Sequence, residues 1–238
     1  MKKKSNLISQ IKSLQPLLLT VYVPTFIFIG LVWFATQAIP IAAYFLTADP
    51  AEIAKQPPYV GIVSNLGLVV WAASLASCWI SAEVIKRDLR KQSIWQSFFF
   101  FSGIITALLM FDDLLQIHEQ SHVYLQFLSH DGAELTVFSI YGMLILYYIV
   151  TFRNLFKKTD YLILLLALGF FVISLVFDVN PERINLKESN RSVLLEEGAK
   201  FLGIVSWLTY FARTCLSKLK YNNEQEISIS PSDSSALD

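Results

Sequence analysis

The stretch IWQSFFFFSGIITALLMFDDLLQIHEQSH, residues 94–122, decides the fold. Between Phe98 and Phe111 only Ser102 and Thr106 carry a polar side chain. An apolar run of about 20 helical residues is what it takes to cross a hydrocarbon core of about 30 Å. The run then stops at Asp112 and Asp113, and His118, Glu119 and His122 follow. One segment therefore carries both a membrane crossing and a group of titratable side chains at one end of it.

Working outward, five more apolar runs repeat the pattern. The six candidate spans cover roughly 17–47, 58–85, 94–118, 134–156, 160–179 and 193–214. The fold class expected is an all-α, polytopic transmembrane helix bundle with six spans. Residues 1–16 read as a basic N-terminal segment, 17–220 as the membrane domain, and 221–238, polar and Ser-rich, as a disordered tail. Pro24 and Pro40 predict that the first span is kinked or ends near Pro40. The run from Leu17 to Leu46 is longer than the 7–15 apolar residues of a typical signal peptide, so it reads as an uncleaved span.

Composition agrees. Of 238 residues, 54% are hydrophobic and 16% charged, against about 25% charged in soluble domains. Net charge is zero, which gives no electrostatic argument for a nucleic-acid partner. Cys78 and Cys215 lie far apart in apolar segments and read as small buried thiols, not a disulfide framework.

Orientation follows from Lys and Arg, which accumulate in cytoplasmic loops. One set of loops holds Lys2, Lys3, Lys4 and Lys12, then Lys86, Arg87, Arg90 and Lys91, then Arg153, Lys157 and Lys158, then Arg213, Lys218 and Lys220. The opposite set holds only Lys55, Arg183, Lys187 and Arg191. Both termini are thus expected inside, in a bacterial-type inner (plasma) membrane. In that frame Asp112 and Asp113 near the outer end of the third span, Asp178 at the outer end of the fifth, and Glu196, Glu197 and Lys200 in the outer turns of the sixth share one depth. Ser64 and Asn65 of the second span and Glu134 of the fourth fall near it. Ionisable groups are costly in a span, so such residues usually face the bundle and pair with something.

Helical geometry refines the expectation. At about 100° per residue Asp112, Gln116 and Glu119 share a stripe, flanked by Asp113 and His122. His118 points away from Asp112 unless the helix breaks. Glu119 and His122 have the E-x-x-H spacing that carries ligands inward in di-iron bundles. Glu196 and Glu197 lie four and three residues before Lys200, which allows an ion pair.

The EEGAK at 196–200 resembles the E-E-x-x-K element of the membrane-embedded glutamic proteases related to the CAAX-processing family. There a glutamate activates water within the bilayer, and a histidine follows in a later span. Here the element lies in the last span, and His118, His122 and His130 all precede it. The pattern D-D-x4-H-E plus E-E-x2-K also resembles uncharacterised bacterial multi-span proteins.

The function expected is a metal-dependent, membrane-embedded hydrolase acting on a lipid or membrane peptide. Glu196, Glu197, Lys200 and Asp113 are its candidate catalytic residues. Asp112, Glu119, His122 and His118 are candidate ligands for a divalent metal (Mn, Fe, Mg or Zn). Two other readings stand beside it: a non-catalytic membrane subunit in which the polar cluster is structural, and a proton- or cation-coupled transporter. Membrane lipid is the expected partner and nucleic acid is not.

Overall fold

The computed structural model describes residues 7–38, 50–87, 94–179 and 190–229. The chain divides into two units, Met1–Val60 and Gly61–Asp238. In the first, α1 (Leu7–Ala38) carries Pro16 and Pro24 within it, and the short α2 covers Pro50–Ile53. The helix is described as far as Ala38; the expectation at Pro40 falls outside the described residues.

In the second unit the long helices are α3 (Ile62–Arg87), α4 (Ile94–Leu115), α6 (His130–Thr151), α8 (Tyr161–Val179) and α9 (Asn190–Ile229). Two single-turn helices, α5 (Ser121–Tyr124) and α7 (Arg153–Phe156), lie in the connections. Every described element is helical. The described helices overlap the expected runs, but α1 begins at Leu7, ten residues before the expected start, and α9 runs to Ile229, well past 214. Three of them are long and apolar enough to cross a membrane: Ile62–Ile85, Ile94–Leu115 and Gly132–Thr151. Tyr22–Ala35 and Tyr161–Phe177 are shorter apolar helices. α9 extends to Ile229, past Tyr221, where the sequence suggests that a disordered tail begins. Once a helix is nucleated, each added residue costs little, and Lys, Glu and Gln sustain it; residues 230–238 lie outside the described residues.

Side chains explain how the helices pair. α4 and α9 run antiparallel: Trp207 Nε1 donates to Thr106 Oγ1 at 3.0 Å, and two turns further along α4 Lys200 Nζ meets Asp113 Oδ1 at 2.7 Å. α4 and α6 are also antiparallel, joined by Ser102 with Tyr148 and by Tyr141 with Asp112. α3 lies parallel to α9, with the Cys215 thiol donating to the Ser77 carbonyl at 3.4 Å. α8 packs on α9 where Phe171 crosses Gly203; a Cβ there would come within 2.6 Å of the ring. Small residues let helices approach this closely in a membrane, where apolar burial alone gives little drive.

The core is aromatic. Phe98, Tyr148, Phe152, Phe156, Tyr210, Phe211 and Trp207 are buried, with ring centroids 4.9–6.3 Å apart in successive pairs. Outside it, large hydrophobics cover the surface: Val69, Ile80, Phe100, Leu146, Leu165 and Val172 are all exposed. Soluble monomers rarely expose apolar patches beyond a few hundred Å². Hydrocarbon, not water, suits this exterior.

Candidate functional site

The C-terminal end of α4 is where sequence and geometry part. The helix stops at Leu115, because Gln116 takes a left-handed conformation with φ of 50°. The Ile117 amide then donates back to the Asp112 carbonyl at 3.2 Å, the six-to-one bond of a Schellman ending. Asn or Gly more often fills that position; here Gln does.

This break overturns the continuous stripe expected through Asp112, Gln116 and Glu119. It also undoes the inward E-x-x-H pair. The Glu119 side chain is 54% exposed, and His122 is exposed, its Nδ1 3.1 Å from the Glu119 carbonyl oxygen. The same break turns His118 back onto Asp112. The Nδ1–Oδ2 distance is 2.6 Å, and the His118 backbone N–H donates to Oδ1 at 3.1 Å. Tyr141 O–H donates to the same Oδ1 at 3.0 Å. Three donors thus fix one buried carboxylate, which is 5% exposed. Because a carboxylate only accepts, Nδ1 carries the proton and the neutral ring leaves Nε2 as an acceptor. Phe138 of α6 packs against the imidazole, centroids 5.1 Å apart.

Burial pulls the His118 pKa down. The hydrogen bond to Asp112 and its charge, helped by Glu119, push it up against an opposing Lys200, and the net displacement is upward from the ordinary histidine value.

Asp113 faces the neighbouring helices. Its Oδ1 pairs with Lys200 of α9, and its Oδ2 accepts from Trp71 Nε1 of α3 at 2.9 Å. The ion pair is largely sheltered, with side chains 29% and 11% exposed. Ser64, Gly67, Glu197 and Phe201 join Asp113 and Lys200 around a cavity with room for about one water molecule. Glu119 Oε1 lies 3.9 Å from His118 Nε2.

The structure therefore brings Asp112 together with His118, and Asp113 with Lys200, with Glu197 at the cavity wall. Glu196 is half-buried. The side chain of Asp178 lies outside the described residues. Among the described residues no group of three or more His, Cys, Asp or Glu is arranged to hold a metal ion.

Two members of the site were not singled out in the sequence. Trp71 lies seven residues beyond Ser64, on the same face of α3. Tyr141 belongs to a stripe of Glu134, Phe138, Tyr141 and Tyr148, spaced as one helical face. Polar-tipped aromatics recurring at that period in an apolar run were the available signal.

A family model described as a domain of unknown function, DUF8692, matches residues 17–214, and the chain belongs to that family. No curated protein and no solved structure matches the chain.

Proposed function

From membership in a family whose description assigns no activity, we propose that the chain is a six-span integral membrane protein with both ends cytoplasmic. We propose that it is a hydrolase of lipid or membrane peptide whose acid–base site lies at the outer ends of α4 and α9. The observation that carries the reading is the Asp112–His118 pair. A carboxylate on Nδ1 holds the imidazole in one tautomer and one orientation, leaving Nε2 to take a proton from water. Lys200, held by Asp113, supplies positive charge for an oxygen that becomes negative in the transition state. Glu197 stands at the wall of the water-sized cavity beside it. The Lys and Arg of the connecting loops support the orientation. The proposed steps run through these side chains.

A second reading has its own observation. Asp113 binds both Lys200 of α9 and Trp71 of α3, tying three helices together. That is how a purely structural latch would look, in a non-catalytic subunit.

The test is reconstitution in vesicles of a mixed phospholipid extract with added membrane peptides, with released acyl chains, headgroups and fragments followed by mass spectrometry. The hydrolase reading expects product from the native protein, none from His118→Gln, and none from a folded Lys200→Met/Asp113→Asn double variant. Equal product from native protein and His118→Gln, or none from either, would overturn it. Product retained by the double variant and lost in His118→Gln would make the Asp113–Lys200 pair a latch.

A further inference from the structure

We propose that the segment from Gln116 to Ser129, which joins α4 to α6 and contains His118, lies within the headgroup layer of the bilayer. It goes beyond the hydrolase reading and rests only on the chain crossing a membrane.

Sequence and surface point the same way. The segment presents Ile117, Val123, Tyr124, Phe127 and Leu128 outward, with Tyr124 78% and Phe127 81% exposed. A loop in water would not hold so much apolar and aromatic surface against its solvent. Tyr and other aromatics favour the membrane–water boundary, where one end of the ring is wet and the other is not. Polar residues lie between them: Glu119, Gln120, His122, Gln126 and Ser129 are exposed too. That mixture matches neither hydrocarbon nor bulk water.

The patch is continuous with the apolar exterior of the bundle. Leu114 and Leu115, at the end of α4, and Leu135, in the second turn of α6, are exposed beside it.

The backbone is also prepared for the boundary. Irregular chain is excluded from hydrocarbon because its peptide groups lack partners. Here much of the segment is turned on itself: Gln120 N–H donates to the Gln116 carbonyl at 3.0 Å, Val123 to Gln120 at 3.0 Å, Leu125 to Ser121 at 2.9 Å and Leu128 to Leu125 at 2.9 Å. The cost of leaving water is reduced, and the remaining peptide groups are met by headgroups and interfacial water. The occupant of the patch is therefore lipid, at headgroup depth.

The test uses the full chain in phosphatidylethanolamine/phosphatidylglycerol vesicles with a nitroxide on Phe127→Cys. Phe127 is largely exposed, so the change spares the core, and the native Cys78 and Cys215 are buried from the reagent. A second label at Leu165→Cys, on the exposed face of α8, reports the depth of a helix, and a third at Tyr124→Cys repeats the first measurement. Collisions with oxygen, which prefers lipid, are compared with those of a water-soluble nickel chelate. The expected result is oxygen exceeding the chelate severalfold at Leu165, and intermediate ratios at Phe127 and Tyr124 that fall, as chelate collisions become more frequent, when a headgroup-bound chelate replaces the soluble one. Ratios at both loop sites equal to those of a free label in water, with Leu165 still lipid-like, would overturn this inference alone. Water-like ratios at all three sites would overturn the membrane reading with it.

Discussion

Removing the Lys200 ammonium should be among the costliest single changes at the site. Lys200→Met leaves the Asp113 carboxylate, 11% exposed, with Trp71 Nε1 as its remaining donor in this arrangement. Two magnitudes compete. Neutral hydrogen bonds between membrane helices average about 0.6 kcal/mol. Breaking a sheltered ion pair by removing one partner costs about 3–5 kcal/mol, because the other charge stays behind. At 2.7 Å the bare attraction is about 6 kcal/mol for an effective dielectric constant of 20, partly offset by desolvation of both ions. The ion-pair term wins, and Lys200→Met should lose about 3 kcal/mol or more. Asp113→Asn should lose a similar amount by stranding the ammonium. The double variant removes both charges together, so its loss should be well below the sum, with a coupling energy of about 2–4 kcal/mol. Equilibrium unfolding in mixed micelles by titration with a denaturing detergent measures all four proteins. Single losses that add to within about 0.5 kcal/mol would refute the pairing argument.

Other outcomes follow from the same geometry. Because the His118 pKa is raised in the fold, its pairing with Asp112 stabilises the protein fully below the ordinary histidine value of about 6.5 and is lost as pH rises through the raised value; unfolding measured from pH 6 upward should show that slope in the native protein and not in His118→Gln. Hydrolysis needs the neutral ring, so its rate should climb over that same upper window, and a rate already level at pH 6.5 would count against His118 as the base. A chelator should leave product formation unchanged, and loss of product restored by Mn, Fe, Mg or Zn would contradict the side-chain route. Gly203→Val should destabilise by about 1–3 kcal/mol by driving Phe171 aside, and Phe171 stacks on Trp71, centroids 5.9 Å apart. Reporter fusions at Lys91 and Lys158 should read cytoplasmic and those near Ala51 and Asp131 external; the reverse at any two sites would sink the six-span topology.

What the sequence made legible was depth. Apolar run length located the described helices, and alternating depth along the chain brought Asp113 to the level of Lys200, where the structure pairs them. What it hid was direction at a helix end. A periodicity argument assumes that the helix continues, and at Gln116 it does not. One left-handed residue exchanged the expected Glu119–His122 pair for Asp112–His118. Nothing short of the local backbone tells a Gln that ends a helix from one that extends it. Trp71 and Tyr141 escaped for another reason: each is an apolar body with one polar atom, and composition counts the body.

The central claim is that Asp112 holds His118 as a proton-bearing group at the C-terminal end of α4. The chain has three histidines, so nitrogen-15 histidine resonances can be assigned with single His→Gln variants. The most direct measurement is the titration of the His118 ring nitrogens in reconstituted protein. The account predicts a neutral ring protonated on Nδ1, a pKa above that of an ordinary histidine, and a fall in that pKa with loss of the tautomer preference in Asp112→Asn. A His118 that titrates as an ordinary histidine, unchanged by Asp112→Asn, would contradict it.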